Sequence, residues 1–158
     1  MTPSSSAQGM YFEEFQVGQK VVTEARTVAE ADVRTFADLT GDRNPIHLDA
    51  NFARTTPYGQ RIAHGLLCTS IAVGLTMRSG FMGGTVLAFR EIIAWKFIKP
   101  VFLDDAIHAE LEVVEIKAFP RLGAGTVVLE VQVKNQDGET TMRGSWTALV
   151  QARPRSAD

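Results

Sequence analysis

From Ala63 to Met77 the chain reads Ala-His-Gly-Leu-Leu-Cys-Thr-Ser-Ile-Ala-Val-Gly-Leu-Thr-Met, apolar or small at nearly every position and without a charge. Such a run is too long for an ordinary strand and too short to span a bilayer, so it predicts a helix buried on most faces. The segments after Gly83-Gly84 follow a different period. Val86 to Phe97 is rich in Ile, Phe, Leu and Trp. His108 to Val113 alternates, with Ala109, Leu111 and Val113 on one face, and Val113-Val114 breaks the alternation in the manner of a bulge. Thr126 to Lys134 alternates through Val127, Leu129, Val131 and Val133. Asn135-Gln-Asp-Gly138 is a turn signal, and Arg143 to Gln151 supplies a last strand.

Ahead of the apolar helix the pattern is shorter-ranged. Gln19 to Val28 predicts a strand. Thr27-Val-Ala-Glu30 fits a capping box for a helix carrying Val33, Phe36 and Ala37 on one face and ending at Gly41. Asp42 to His47 reads as a loop, because Pro45 disfavours helix at Asn44. Asn51 is placed to cap a second short helix that stops near Thr56-Pro57-Tyr-Gly59. Strands in succession, joined by short turns, imply antiparallel pairing around the apolar helix, an α+β arrangement.

Composition narrows the class. The 158 residues fit one domain, expected over about 10–152, with Ser/Pro/Gly-rich tails at 1–9 and 153–158. With 45% apolar and 22% charged residues the chain is of ordinary globular type. A net charge of −2 and the lack of a basic run argue against a nucleic-acid partner. No apolar run is long enough to cross a membrane, and the first nine residues do not read as a signal peptide. The single cysteine, Cys68, excludes an internal disulfide and suits a reducing, cytoplasmic setting. Within the apolar helix it reads as a packed thiol.

The candidate chemistry gathers at Asp42, Asn44, His47 and His64-Gly65. Asp42 and His47 lie five residues apart across a proline turn, where a carboxyl and an imidazole can converge on one proton-transfer task. Asn44 is placed to orient a water through its amide. The same segment also reads as a plain turn in which Asp and Asn bond their own backbone. Gly65 opens the buried helix, so its N–H is one of the unpaired donors at the positive helix end. It also reads as a small residue that permits close packing. His64 suits a capping or supporting role, with Ser70 nearby. Asp42, His47 and His64 together form a two-histidine, one-carboxylate set, but no ligand-spacing signature supports a metal. His108 falls on the polar face of its strand. Phe81 and Met82, in the stretch from Met77 to Leu87, are candidate gates of a binding cavity.

Leu39-Thr-Gly-Asp-Arg-Asn-Pro-Ile-His-Leu-Asp49, followed by Ile62-Ala-His-Gly-Leu-Leu67, resembles the MaoC-like dehydratases, the (R)-specific enoyl-CoA hydratases. Trp95-Lys-Phe-Ile-Lys-Pro-Val-Phe-Leu-Asp-Asp105 resembles the strand and turn that follow in that family. The resemblance covers roughly 12–150. It implies a hot-dog fold, a curved antiparallel sheet around one long helix. It places catalytic roles on Asp42, Asn44 and His47 and thioester-oxygen binding on the Gly65 N–H. It implies syn addition of water to a trans-2-enoyl-CoA, giving a (3R)-3-hydroxyacyl-CoA, with no metal and no cofactor beyond the CoA of the substrate. It also implies a homodimer. One departure is Val73, which stands where some members carry a serine. A hot-dog thioesterase is the first alternative, though residues 63–78 lack the carboxylate many of those use. A non-catalytic acyl-thioester-binding subunit is the second, and it would be marked by loss of the Asp/His pair.

Overall fold

Alternation decides the sheet. In the computed structural model, which describes residues 8–155, β4 (Ala106–Phe119) as far as Val113 and β5 (Ala124–Lys134) from Val127 bury every second side chain. Ile107, Ala109, Leu111 and Val113 on β4 face the core with Val127, Leu129, Val131 and Val133 on β5. The bulge lies where the alternation broke: pairing with β5 shifts between Val113 and Glu115, leaving Val114 without a partner. The Asn135–Gly138 turn joins β5 to β6 (Thr140–Gln151), with Asn135 Oδ1 accepting the Asp137 and Glu139 N–H groups. β6 pairs in turn with β3 (Val86–Phe97).

The sheet is antiparallel throughout, in the order β1-β4-β5-β6-β3, with β1 (Lys20–Val22) and β2 (Arg26–Thr27) both on β4. Against its inner face lies α4 (Gly65–Arg78), which buries Leu67, Cys68, Ala72 and Leu75. This is the expected α+β hot-dog arrangement, a curved antiparallel sheet around one long helix. α4 is buried on its sheet side only: Leu66 and Ser70 on the other side are exposed.

Several local expectations are corrected. The strand expected over Gln19 to Val28 is two short pieces. Thr23 Oγ1 takes the Ala109 N–H at 2.9 Å, so a side chain replaces backbone in the ladder and pairing breaks there. Thr27 belongs to β2, so it does not cap α1 (Glu30–Thr40). Asp32, rather than Glu30, reaches back to the Ala29 N–H at 2.9 Å. Pro45 opens a helical turn, α2 (Pro45–Leu48), because its missing N–H costs nothing at a first helical position. Asp49, not Asn51, caps α3 (Ala50–Arg54). Phe81 and Met82 are buried in the core beyond the C-terminal end of α4, Phe81 edge-on to Phe15, and gate nothing. The tails expected at 1–9 and 153–158 fall largely outside the described residues. Within them, Gly9 donates to the Gly83 carbonyl at 2.6 Å, and Arg153 pairs with Glu14 at 3.0 Å.

Candidate active site

Three carbonyls and one left-handed glycine assemble the site. Gly41 ends α1 at φ 79°, a conformation that costs a glycine no Cβ strain, and turns the chain toward Asp42. Asp42 Oδ1 accepts the Asn44 N–H at 3.3 Å, and Asn44 Oδ1 accepts the Ile46 N–H at 3.3 Å. The amide oxygen of Asn44 is thus taken by the helix that follows. Asn44 caps α2, is exposed, and is not among the cavity-lining residues. One turn on, His47 points inward and is buried.

The His47 ring is fixed by a residue fifteen positions away. Its Nδ1 lies 2.7 Å from the Ile62 carbonyl. A carbonyl only accepts, so Nδ1 carries the proton and Nε2 keeps a free lone pair. Burial pushes the His47 pKa below its ordinary value, and the neighbouring His64 adds to this. The Ile62 hydrogen bond and Asp42 act in the opposite direction. The ring is thus held as a neutral base near pH 7.

The segment 61–64 is laced in from several sides. Ala63 N–H donates to the Val101 carbonyl at 2.8 Å, and Ile62 bridges Phe102. Arg61 reaches Glu30 at 3.0 Å, and Arg34 reaches the same carboxylate at 2.7 Å. The two guanidiniums hold the Glu30 pKa down to about 2. Arg61 and Glu30 lie thirty-one residues apart, and the Val101 and Phe102 partners lie farther still along the chain, so no local signal marked these ties.

His64 sits at the N-cap position of α4 without capping it. Its Nε2 instead donates to the Asp42 carbonyl at 3.0 Å. Its ring stacks on His47, centroids 3.8 Å apart and planes 28° apart, and lies 5.0 Å from Phe36. Gly65 follows, its N–H without an acceptor among the described residues. The Phe97 ring packs directly over it: a Cβ at Gly65 would come within 2.5 Å of that ring. Ser70 lies outside the site, its hydroxyl bonded to the Leu66 carbonyl at 2.8 Å. Half-buried His108 stays beside Glu110, 3.4 Å away.

Asp42, His47, His64 and Gly65 all line one cavity of about 360 Å³, whose apolar wall includes Phe36, Phe97, Val101 and Met142. Of these wall residues the sequence marked only Phe36, as a core position of α1. Cys68 also lines it, and burial pushes its thiol up to about 12, which leaves it inert as a nucleophile.

A carboxylate oxygen of Asp42 and a ring nitrogen of each histidine lie within 4.8 Å of one another. The set is a poor metal cage. His47 Nδ1 and His64 Nε2 are already engaged by carbonyls. The rings are stacked 3.8 Å apart, so their remaining in-plane lone pairs lie in two separate planes 28° apart, and the one left on His64, at Nδ1, is buried. A water suits it better, since two hydrogen bonds of about 2.8 Å span such a separation.

A family model described as the MaoC like domain matches residues 13–135. The chain belongs to the MaoC-like domain family. It is 35% identical over 107 residues to a 3-hydroxybutyryl-CoA dehydratase of Methylorubrum extorquens, which covers 68% of this chain and 66% of that protein. It is 36% identical over 108 residues to an (R)-specific enoyl-CoA hydratase of Aeromonas caviae, covering 68% and 78%. Among solved structures, one called a monoamine oxidase regulatory protein, from Archaeoglobus, superposes with a TM-score of 0.85 at 39% identity, over 94% of this chain and 99% of that one. The matched family segment contains Asp42, His47, His64 and Gly65, and of the cavity lining only Met142 lies beyond it. No helix among the described residues is long and apolar enough to cross a membrane.

Proposed function

We propose that this MaoC-like protein is an (R)-specific enoyl-CoA hydratase, equally a 3-hydroxyacyl-CoA dehydratase, working on the CoA thioester in a cytoplasmic setting. The observation that carries the reading is that Asp42 and His47, with polar atoms within 4.8 Å of each other, line one cavity with Gly65, while the Ile62 carbonyl takes His47 Nδ1 and leaves Nε2 for chemistry. Water held by Asp42 and His47 adds its oxygen to C3 of the enoyl thioester as the pair takes one of its protons. The C2–C3 π electrons move toward the thioester oxygen, where the Gly65 N–H and the helix N-terminus stabilise the developing charge. The pair then returns one proton to C2, and the net change is addition of H and OH. No metal or redox group enters this scheme, because the thioester itself acidifies C2.

The working unit in this reading is a homodimer. β3 is an edge strand, and Leu87, Phe89, Ile92, Ile93 and Phe97 on it are each at least 38% exposed. A long apolar edge is a template for pairing with a second copy. Because Phe97, Ile98 and Lys99 line the cavity, such pairing brings the partner to its mouth.

The test is incubation with trans-2-enoyl-CoA esters of several lengths, following loss of the conjugated thioester absorbance. Separate coupling to (3R)- and (3S)-specific 3-hydroxyacyl-CoA dehydrogenases reads the configuration. Consumption by the (3R)-specific enzyme alone supports the proposal. Consumption by the (3S)-specific enzyme refutes the assigned face, and release of free CoA marks a thioesterase.

A further inference from the structure

We infer that His64 is a positioning residue. Through Nε2–H it holds the Asp42 backbone against the His47 ring, and so sets the distance between the two groups that share the reacting water. This rests on the Asp42/His47 reading above and adds a third residue to it.

Three observations converge. First, the hydrogen bond from His64 goes to the carbonyl of Asp42 itself, at 3.0 Å, across twenty-two residues of chain. The Asp42 side chain is exposed and is otherwise tied only to the Asn44 N–H of its own turn. His47 and Ile46 are bonded to Ile62, but the bond that ties Asp42 itself to the start of α4 is that of His64. Second, the same ring forms the rear wall of His47, stacked at 3.8 Å. One imidazole thus touches both members of the pair: one through an edge N–H, the other through its face. Third, His64 is only 3% exposed and its Nδ1 is buried with no hydrogen-bond partner. An orphaned buried acceptor costs free energy. An apolar residue would fill the same space without that cost, so packing alone does not account for a histidine here. The Nε2–H donor does. Because that donor faces a carbonyl, the ring is in the Nε2–H tautomer, with Nδ1 bare.

His64 contacts Asp42 and His47 directly, so its removal acts on turnover through them. His64→Phe keeps a ring against His47 but loses the donor. His64→Gln loses the ring but carries an amide N–H to nearly the place of Nε2. His64→Phe is expected to lower kcat by roughly 10- to 100-fold with KM changed less than about twofold, the scale of a misplacement near 1 Å. His64→Gln is expected to recover most of kcat. In an Asp42→Asn background, adding His64→Phe is expected to cost less than about threefold, because both changes remove the same water-holding arrangement. A full multiplicative loss in that background, a wild-type kcat for His64→Phe, or a His64→Gln no better than His64→Phe overturns the inference.

One measurement on the unaltered protein needs neither a folded variant nor activity. Imidazole nitrogen–proton correlation spectra at pH 8 should show His64 protonated on Nε2 and bare on Nδ1. The opposite tautomer overturns the inference. If the wild-type protein hydrates no enoyl-CoA, the functional proposal fails by itself, and the His64 tautomer still decides whether the Asp42 tether exists.

Discussion

Replacing His47 in two ways separates its chemistry from its packing. The ring has two jobs on two nitrogens: Nδ1–H satisfies the Ile62 carbonyl at 2.7 Å, and in the proposed mechanism Nε2 is the base. His47→Asn retains a donor near the place of Nδ1 and has nothing at Nε2. His47→Ala loses both. A general acid–base group contributes roughly 10²–10⁴-fold, or about 3–5 kcal/mol of barrier. Both variants should therefore lose about that much in kcat. Their stabilities should differ. In His47→Ala the Ile62 carbonyl loses its partner within the protein, at about 1–3 kcal/mol, with a further loss from the space opened beside the His64 ring. In His47→Asn the bond survives, and the change should stay near 1 kcal/mol. Enoyl-CoA hydration and urea unfolding, run on the same preparations, read the two quantities. A His47→Asn variant within tenfold of wild-type kcat would refute the base. A His47→Ala variant as stable as wild type would refute the structural bond.

Burial lowers the His47 pKa, so the acid limb of kcat/KM should fall below pH 6.5, the ordinary histidine value; a limb above it would contradict the burial argument. The same shift makes the unfolded chain bind more protons at acid pH. The His47 contribution to stability should therefore be complete above about pH 6.5 and decline as the pH falls toward the folded value, as urea midpoints against pH would show. Gly65→Ala brings a Cβ to 2.5 Å from the Phe97 ring, so it should destabilise by about 1–3 kcal/mol and lower activity by displacing the ring over the thioester site. Adding Phe97→Leu should restore the stability, and failure to do so would locate the strain elsewhere. Ile92→Glu puts a charge on the exposed β3 edge at a residue 47% exposed. It should convert the proposed dimer to monomer by light scattering and reduce turnover, whereas an unchanged dimer mass would remove β3 from the interface.

Much of the fold was legible because its causes are local. Period-2 alternation marked the inner faces of β4 and β5, and the doubled valine at 113–114 marked the bulge. The uncharged run from Ala63 marked α4 as a helix, though one buried on its sheet side rather than on most faces. Gly41 and the Asn135–Gly138 turn were readable because a left-handed φ or an Asx turn is a property of a few adjacent residues. The misread features were competitions between neighbours. Thr27 and Asn51 are competent caps, but β2 pairing took the first and Asp49 captured the role of the second.

The site divides along the same line. The sequence by itself determined that a carboxyl and an imidazole share one proline turn, that a glycine opens the buried helix, and that the only thiol is enclosed. Tertiary structure alone decided which His47 nitrogen is free, because the deciding acceptor is the Ile62 carbonyl. It alone turned His64 from a cap into a tether between Asp42 and His47, and sent Phe81 and Met82 into the core at the far end of α4. The physical reason is range. Propensity, capping and alternation act over a few residues, whereas a ring's tautomer and a cavity's wall depend on atoms that only the closed chain brings within about 3–4 Å.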